Sequence, residues 1–383
     1  MTLVLTNAMI VTADEVFSGT LHVVDGLIAD VARGGTALPA AVDLEGDYLI
    51  PGLVELHTDN LERHLAPRPK VSWDPMSALV AHDNEIAGAG ITTVLDALGV
   101  GEADPESLRG STWEVMLRCL DDGIAHDALR ADHLLHVRAE LPAPNTVSLF
   151  APFHEHPRLH LISLMDHTPG QRQWENIEQA RVYFIGKKGW SNGKFEAKVE
   201  ESAELQIRYA EPHRAHFVEY CSAHNISLAS HDDTTIAHVE QAHAEGASLS
   251  EFPTTVAAAD AARRLGLFTV MGGPNVVRGA SHSGNVAAGE LVRLGLLDIL
   301  SSDYVPGSLL SGAFILHHAH GITLPHAIAM VSQHPAQAIG LHDRGRIAPS
   351  LRADLVQVRP IALSDGTTRP VVRTVWREGR RVT

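Results

Sequence analysis

The sequence predicts an α/β protein in which a parallel (β/α)8 barrel carries a small β-sandwich built from both chain ends. Three observations support this prediction. Eight short apolar segments alternate with helical patterns through the middle of the chain, short strands with turn signals occupy both ends, and residues able to bind a metal follow several apolar segments. Continuous apolar strands that alternate with helices are typical of a parallel sheet covered on both faces.

The eight apolar segments are the candidate barrel strands. In chain order they are LIPGLVELH, TTVLDAL, HLLHVRAE, LHLISLM, ISLASH, ASLSEF, LFTVMG and LDILSS. The helical patterns lie around residues 75–89, 105–122, 201–224, 234–246, 255–265 and 286–295, and in two parts over 306–340. Eight such units favour a closed barrel, and an open doubly wound sheet is the alternative. No G-x-G-x-x-G sequence follows an early strand, which argues against a dinucleotide-binding fold.

The two chain ends are predicted to form one domain together. Residues 1–50 and 348–383 contain short strands separated by Asp-Gly and Glu-Gly turn signals. Neither end has enough apolar residues for a core of its own. We therefore expect both ends to pair into the β-sandwich domain and residues 51–347 to form the catalytic barrel.

Composition limits the classes of partner. The chain has 383 residues and a net charge of −16, which argues against general binding of nucleic acid or anionic membranes. No apolar run reaches the ~18 residues of a membrane-spanning helix, and the first residues do not resemble a secretory signal. Two cysteines provide no disulfide framework. We expect a cytoplasmic enzyme with a small-molecule substrate, and a homodimer is the default assembly.

Candidate metal ligands stand where five of the predicted strands end. Carboxyl ends of barrel strands meet on one face, so their side chains are expected to surround one site. Imidazole with carboxylate suits Zn²⁺, with Mn²⁺ or Fe²⁺ as alternatives. Any one of these residues taken alone is more simply a hydrogen-bonded core or surface residue, but five strand ends together favour a metal centre. The predicted ligands are His57, Asp59, Glu140, His167, His231 and Asp303.

The stretch IPGLVELHTDNLERHLAPRP, residues 50–69, combines an apolar strand with a crowd of polar residues. His57 and Asp59 are two apart, so on a strand both would point to one face and hold the same ion. Among the residues that follow, Glu62 and His64 either support the metal ligands or belong to a salt-bridged loop, and the role of Asn60 is open. The sequence leaves these alternatives open.

These motifs resemble the amidohydrolase superfamily. The resemblance rests on the two-ended β-domain, YLIPGLVELHTD and a late SSD, and it covers essentially the whole chain. It implies one or two divalent metal ions at the mouth of a (β/α)8 barrel, held by a His-x-His pair, a bridging carboxylate or carboxylated lysine, two further histidines and an aspartate. Two positions depart from that pattern, because Asp59 replaces the second histidine and Glu140 replaces the lysine.

Six linked motifs indicate one branch of this superfamily. HTDNLERH, HVRAEL, SLMDHTPGQRQ, ASHDDTT, GGPNVVRGASHSGN and LSSDYVPGSLL together look like the diphosphatases of the carbon–phosphorus lyase pathway. That resemblance implies hydrolysis of α-D-ribose 1-methylphosphonate 5-triphosphate to the 5-phosphate and pyrophosphate. In this reading the carboxylate of Asp303 orients the attacking water and takes its proton, and the alternative is a metal ligand without a proton role.

Local cations would be needed to bind a triphosphate in so acidic a protein. The segment 169–194 contains Arg172, Lys187 and Lys188 and could form a basic lid over the barrel mouth, or simply a solvated surface. The glycine-rich segment 272–285 contains Arg278 and His282 and could cradle an oxyanion, or merely connect two elements.

Two other functions compete with this reading. A deaminase, cyclic amidase or deacetylase acting on a C–N bond would use the same metal site, although the basic segments favour phosphate. A non-enzymatic assembly protein that had lost its metal ligands is the second alternative. It is disfavoured because every predicted ligand position carries a side chain able to bind metal.

Overall fold

Sixteen strands form two sheets in the computed structural model, which describes residues 2–68, 71–101, 109–187, 189–281 and 285–383. In chain order the strands are β1 Thr2–Val11, β2 Val16–Val24, β3 Leu27–Arg33, β4 Val42–Asp43, β5 Tyr48–Pro51, β6 Leu53–Thr58, β7 Ile91–Val100, β8 Asp132–Glu140, β9 Leu159–Met165, β10 Ser227–His231, β11 Leu249–Glu251, β12 Phe268–Gly272, β13 Ile299–Ser301, β14 Leu355–Ala362, β15 Thr368–Arg377 and β16 Arg380–Arg381.

Thirteen α-helices lie within the same described ranges. They are α1 Asn60–Leu65, α2 Pro75–Gly88, α3 Arg109–Ala125, α4 Thr146–Phe150, α5 Ile177–Arg181, α6 Asn192–His224, α7 Ile236–Ala244, α8 Val256–Leu265, α9 Gly273–Arg278, α10 Ala288–Arg293, α11 Ser308–His320, α12 Leu324–Ala329 and α13 Gln333–Ala338. Short 3-10 turns occupy Ala151–Phe153 and Arg172–Trp174, and a π-helical turn occupies Val182–Lys187. None of the helices described combines the length and apolar character needed to cross a membrane.

The predicted (β/α)8 barrel is confirmed. Strands β6 to β13 pair in parallel in sequence order, and each overlaps one of the eight predicted segments. The ring closes at its carboxyl end, where Asp303 and Thr58 form a parallel bridge. Asp303 N–H donates to the His57 carbonyl at 3.0 Å, and Asp59 N–H donates to the Asp303 carbonyl at 3.0 Å. Closure therefore brings the first and last predicted ligands together.

Apolar side chains fill the barrel interior. Every barrel strand contributes at least one buried residue to this cluster, and several are 0% exposed, so the barrel interior is a packed core. We therefore expect the functional side chains at the rim of the barrel. The interior strand residues are Val54, Leu56, Leu95, Leu134, Leu161, Ala229, Leu249, Val270 and Ile299.

Both chain ends form the second sheet, which is mixed. Its order is β16-β15-β14-β5-β1-β2-β3, with β4 paired to β1, so the amino-terminal strand β5 lies directly beside the carboxyl-terminal strand β14. A cluster that includes Leu5, Ile10, Leu355 and Trp376 joins the two ends. The strands of one end alone would leave these apolar faces in water, which explains why the ends associate. The domain borders at residues 50 and 348 stay a prediction.

A buried charge network braces the barrel wall beside α2. Asp96 on β7 holds His82 Nε2 at 2.7 Å and His133 Nδ1 at 2.8 Å. His133 Nε2 lies 3.2 Å from Asp83, and all four side chains are 0% exposed. Burial alone would lower the pKa of His133, but the carboxylates of Asp96 and Asp83 raise it to about 9.

This network predicts a loss of stability in alkali. The pKa of His133 is higher in the folded chain than in the unfolded chain, so its contribution is complete below pH ~6.5 and disappears as pH rises through 9. The full contribution is about 3 kcal/mol. We expect the free energy of unfolding, measured by urea titration, to fall over this range. His133→Gln should flatten that decline, whereas replacement of the exposed His342 should not; equal slopes in all three proteins would contradict the assignment.

Candidate metal centre

Three histidines converge at the carboxyl end of the barrel. His57 lies on β6, His231 ends β10, and His167 follows β9 by two residues. The His57 and His231 ring centroids are 5.7 Å apart, as are those of His167 and His231. Together with Asp303, which follows β13, and Tyr304 they line one open cavity. Four of the six predicted ligands are therefore brought to the same space.

Glutamates orient all three rings. Glu251 Oε1 lies 3.1 Å from His57 Nδ1, and its Oε2 lies 3.2 Å from His231 Nδ1. Glu140 does the same for His167, with Oε2 2.5 Å from Nδ1 and Oε1 accepting the His167 backbone N–H. A carboxylate at Nδ1 makes that nitrogen the donor and leaves Nε2 with the lone pair. This is the usual outer contact of a metal-binding histidine.

The electrostatic state of these pairs agrees with that role. Burial raises the pKa of Glu140, but the His167 ring lowers it further, to about 2. Burial likewise raises the pKa of Glu251, and the His57 and His136 rings bring it well below its usual value. Both glutamates are therefore ionised near neutral pH and hold the rings as charged acceptors.

Asp232 completes a set of converging ligand atoms. Its Oδ2 lies 3.6 Å from His231 Nε2 and 3.8 Å from His167 Nε2, and one ligand atom from each of the three residues lies within 4.8 Å of the others. Two imidazoles and a carboxylate are a ligand set that divalent transition metals favour. The residues present therefore fit a divalent ion held by the Nε2 atoms of the oriented rings and by Asp232.

The backbone is strained around this centre. Asp232, Phe252 and Asp303 have positive φ values of 55°, 53° and 55° at or just beyond the ends of their strands. Non-glycine residues in this left-handed region cost about 1–3 kcal/mol each, and such strain tends to cluster at functional sites. The conformation turns the chain so that the strand ends present side chains to the cavity.

Asp59 does not share a strand face with His57. Strand β6 ends at Thr58, and Asp59 is the N-cap of α1, with φ −83° and ψ 6°. Its Oδ1 accepts a hydrogen bond from Arg138 at 2.5 Å. The prediction that both side chains point to one strand face is therefore wrong, because β6 ends at Thr58, before Asp59. Asp59 and Glu140 as metal ligands remain predictions, and Glu140 faces His167 in the geometry described.

The predicted phosphate-binding residues occupy different places. Arg278 ends α9, is exposed and lines the cavity. Arg172 is buried and donates to the His231 carbonyl at 2.8 Å and to Asp233 at 2.7 Å, so its guanidinium supports the β10 end, while its neighbour Gln173 lines the cavity.

The remaining predicted cations cannot be placed against the cavity. Lys188 and His282 lie outside the described residues, and for Lys187 the description covers the backbone turn alone. The segment that was predicted to be a basic lid folds around aromatic contacts, with Phe184 stacked on Trp190 at 4.8 Å between ring centroids. Its role as a lid remains a prediction.

The polar residues after β6 belong to a short helix with ion pairs. Glu85 on α2 accepts from Asn60 at 3.2 Å and from Arg63 at 2.6 Å, and it lies 2.9 Å from His64 Nε2. Glu62 accepts the Gly99 backbone N–H at 3.1 Å. The salt-bridged alternative therefore describes His64, whereas Asn60 is a buried amide that hydrogen-bonds Glu85. These contacts fix α1 against α2 and β7 beside the site.

Sequence reasoning missed Glu251, Asp232 and Arg138. Glu251 is the penultimate residue of the segment ASLSEF and the last residue of β11, so the strand-end rule applied to that strand would have found it. Arg138 is a charge inside a buried strand, two residues before Glu140 and hence on the same side of β8. Asp232 follows a predicted ligand directly, and only the left-handed turn shows that it faces the same space.

Comparison with known proteins places this geometry in a family. The amidohydrolase family model matches residues 84–383, more than half of the chain. The chain belongs to the amidohydrolase family. Divalent metal ions are the cofactors of this superfamily, and the converging histidines and Asp232 are its candidate site here. The superfamily predicted from the motifs is thus confirmed.

Individual relatives differ in how much they share. The chain is 44% identical over 382 residues to the α-D-ribose 1-methylphosphonate 5-triphosphate diphosphatase of Escherichia coli strain K12, covering 99% of this chain and 100% of that protein. It is 26% identical over 390 residues to the imidazolonepropionase of Deinococcus deserti, covering 94% and 90%. The crystal structure of N-acetylglucosamine-6-phosphate deacetylase from Pasteurella multocida has a TM-score of 0.59 at 14% identity, covering 100% and 99%, which supports the fold alone.

Proposed function

We propose that this protein hydrolyses α-D-ribose 1-methylphosphonate 5-triphosphate to the 5-phosphate and pyrophosphate, as part of phosphonate catabolism. The observation that carries the proposal is the 44% identity to the Escherichia coli diphosphatase over essentially the full length of both chains. The cavity supports it, because Arg138 and Arg278 contribute two guanidinium groups to its lining. Guanidinium groups recognise phosphate by paired, charge-assisted hydrogen bonds.

The proposed cofactor is a divalent ion, most simply zinc. When bound, it would polarise a phosphoryl oxygen and make a nearby water more acidic. The ion would be held by His57, His167, His231 and Asp232. Glu251 and Glu140 orient the three imidazole rings, and ligand atoms of His167, His231 and Asp232 lie close to one another.

The protein's own groups would carry out the rest of the reaction. Asp303 stands at the cavity wall on the rim strand that closes the barrel. Its carboxylate would align the attacking water and accept its proton while the oxygen adds to phosphorus and the α–β phosphoanhydride bond breaks. Arg278, at the outer side of the cavity, would contact the polyphosphate chain and stabilise the charge on the departing pyrophosphate.

Hydrolysis of a C–N bond is the competing function, since the ligand set alone does not select the substrate. A phosphoanhydride substrate is favoured because two arginines, Arg138 and Arg278, line the cavity of a protein whose net charge is −16. A neutral cyclic amide would need no such cations, whereas a polyanion needs them to offset the carboxylates of the rim.

Phosphorus NMR of the purified, metal-loaded protein with the ribose 1-methylphosphonate 5-triphosphate tests the proposal. We expect stoichiometric 5-phosphate and pyrophosphate, and no ammonia from amide or amine substrates. Running the reaction in ¹⁸O-labelled water would place the label on whichever product contains the attacked phosphorus. Orthophosphate as the main product, or no turnover, would refute the proposed activity. The cytoplasmic location and the homodimer stay predictions.

A further inference from the structure

Arg138 is a buried cation in the wall of the metal cavity. It lies on β8, its side chain is 16% exposed, and it pairs with Asp59 at 2.5 Å. Burial alone would lower the pKa of Arg138, but the carboxylates of Asp59, Glu62, Glu251 and Asp303 raise it well above its usual value. The guanidinium is therefore a permanent charge among the acids of the centre.

One donor of this guanidinium has no acceptor. The Nε–H of Arg138 is buried and has no hydrogen-bond partner among the described residues. Buried donors are nearly always satisfied in folded proteins, so an unsatisfied one beside a cavity indicates a place for an acceptor from a ligand. An anionic oxygen is the acceptor that a charged guanidinium binds most strongly.

The pairing with Asp59 also limits the metal site. Asp59 would be needed for a second ion near His57, but its carboxylate is bound to Arg138. Of the three sets of ligand atoms that converge within 4.8 Å among the described residues, the set formed by His167, His231 and Asp232 has all its members in the cavity lining. The neighbouring set, His57, His136 and Glu251, is buried, and Glu251 there already lies 3.1 Å from His57 Nδ1. A second divalent ion close to the guanidinium would also meet like-charge repulsion.

We propose that Arg138 is the second cation of this centre. Its ion pair with Asp59 keeps that carboxylate from binding a second metal ion, so that each chain binds one divalent ion. Its Nε–H donates a hydrogen bond to an oxygen of the substrate's phosphate chain. The phosphate class of the ligand rests on the proposed function, whereas the metal number follows from the geometry of Arg138 and Asp59 alone.

Metal counting tests the first half of the proposal. Elemental analysis of protein loaded with excess Zn²⁺ and then desalted should give about one equivalent per chain. Asp59→Asn breaks the ion pair but leaves Arg138 in place, and we expect its metal content to equal that of the wild type. About two equivalents in the wild type, or loss of metal from Asp59→Asn, would overturn the proposal and support Asp59 as a ligand.

Binding of methylenediphosphonate, a non-hydrolysable bisphosphonate probe, tests the second half by calorimetry on the metal-loaded protein. Removing a charge-assisted hydrogen bond should weaken binding roughly 10–100-fold in Arg138→Gln. Arg138→Lys keeps the positive charge but lacks the Nε donor. Its affinity for the probe should lie between those of the wild type and Arg138→Gln. The matched control is Arg118→Gln, an exposed arginine on α3 that is not among the residues lining the cavity, which should leave binding unchanged.

The folded state of each variant is checked by its metal content and its thermal midpoint. If Arg138→Gln loses its metal or its fold, Arg138→Lys decides, because it preserves the ion pair with Asp59. Probe affinity in Arg138→Lys equal to the wild type would overturn the Nε contact. A different outcome is that the protein binds the probe through Arg138 but fails to hydrolyse the ribose triphosphate. That outcome would refute the proposed substrate and support the role of Arg138 in binding phosphate.

Discussion

Asp303→Asn should lower kcat by about 10²–10⁴-fold while the protein keeps its metal. Asparagine has nearly the same shape, so the bridge to Thr58 and the backbone contacts to His57 and Asp59, which use main-chain atoms, should persist. What it removes is the basic oxygen that accepts a proton from water. The measurement is steady-state turnover of the ribose triphosphate together with elemental analysis of the same sample.

Asp232→Asn is the matched comparison. Asp232 has the same left-handed backbone as Asp303, with φ 55° in both, but its Oδ2 faces the Nε2 atoms of His167 and His231. We expect this variant to lose metal affinity, and its activity to recover in part at high metal concentration. If Asp303→Asn shows the same metal loss and recovery, Asp303 is a metal ligand without a proton role, which is the alternative that the sequence left open. Unchanged kcat would remove it from both roles.

Glu251→Gln should weaken metal binding by about 10–100-fold, although Glu251 need not touch the ion. A single carboxylate holds the Nδ1 atoms of His57 and His231 at 3.1 and 3.2 Å. An amide can accept from one ring only and turns a donor toward the other, so one ring loses its orientation and both lose the charged acceptor that makes Nε2 more basic.

Competition with a chromogenic chelator measures this change in affinity. Glu240→Gln, an exposed change on α7, is the control and should bind metal as the wild type does. Loss of affinity with an unaltered thermal midpoint of the metal-free protein would separate the effect on the ion from simple unfolding. Equal affinity in Glu251→Gln and the wild type would show that the rings are held in place without Glu251.

Much of this architecture could be predicted because strand and helix patterns are local. The continuous apolar segments and the helices between them predicted all eight barrel strands, since a parallel strand buried on both faces has a distinctive composition. Strand-end residues then predicted His57, His167, His231 and Asp303 at one cavity, because the topology of a parallel barrel brings all carboxyl ends to the same face.

The errors share a different cause. The sequence does not show that β6 ends at Thr58 and not one residue later, yet that one residue decides where the Asp59 carboxylate points. Strand boundaries depend on hydrogen bonds from a neighbouring strand, here those of Asp303 across the barrel closure, and such contacts are distant in sequence. The same holds for Arg172, a cation near a predicted ligand whose actual partner is the buried Asp233.

By itself, the amino-acid sequence determined the fold class, the face of the barrel that carries chemistry and the kind of ligand gathered there. Only the tertiary structure decided which carboxylates face the cavity and which face a histidine or an arginine. In the folded chain Glu251 and Glu140 orient three histidine rings, and Asp59 forms an ion pair with Arg138. The physical reason is that backbone preferences act over a few residues, whereas the partner of a buried charge is selected by low-dielectric contacts between strands far apart in the chain.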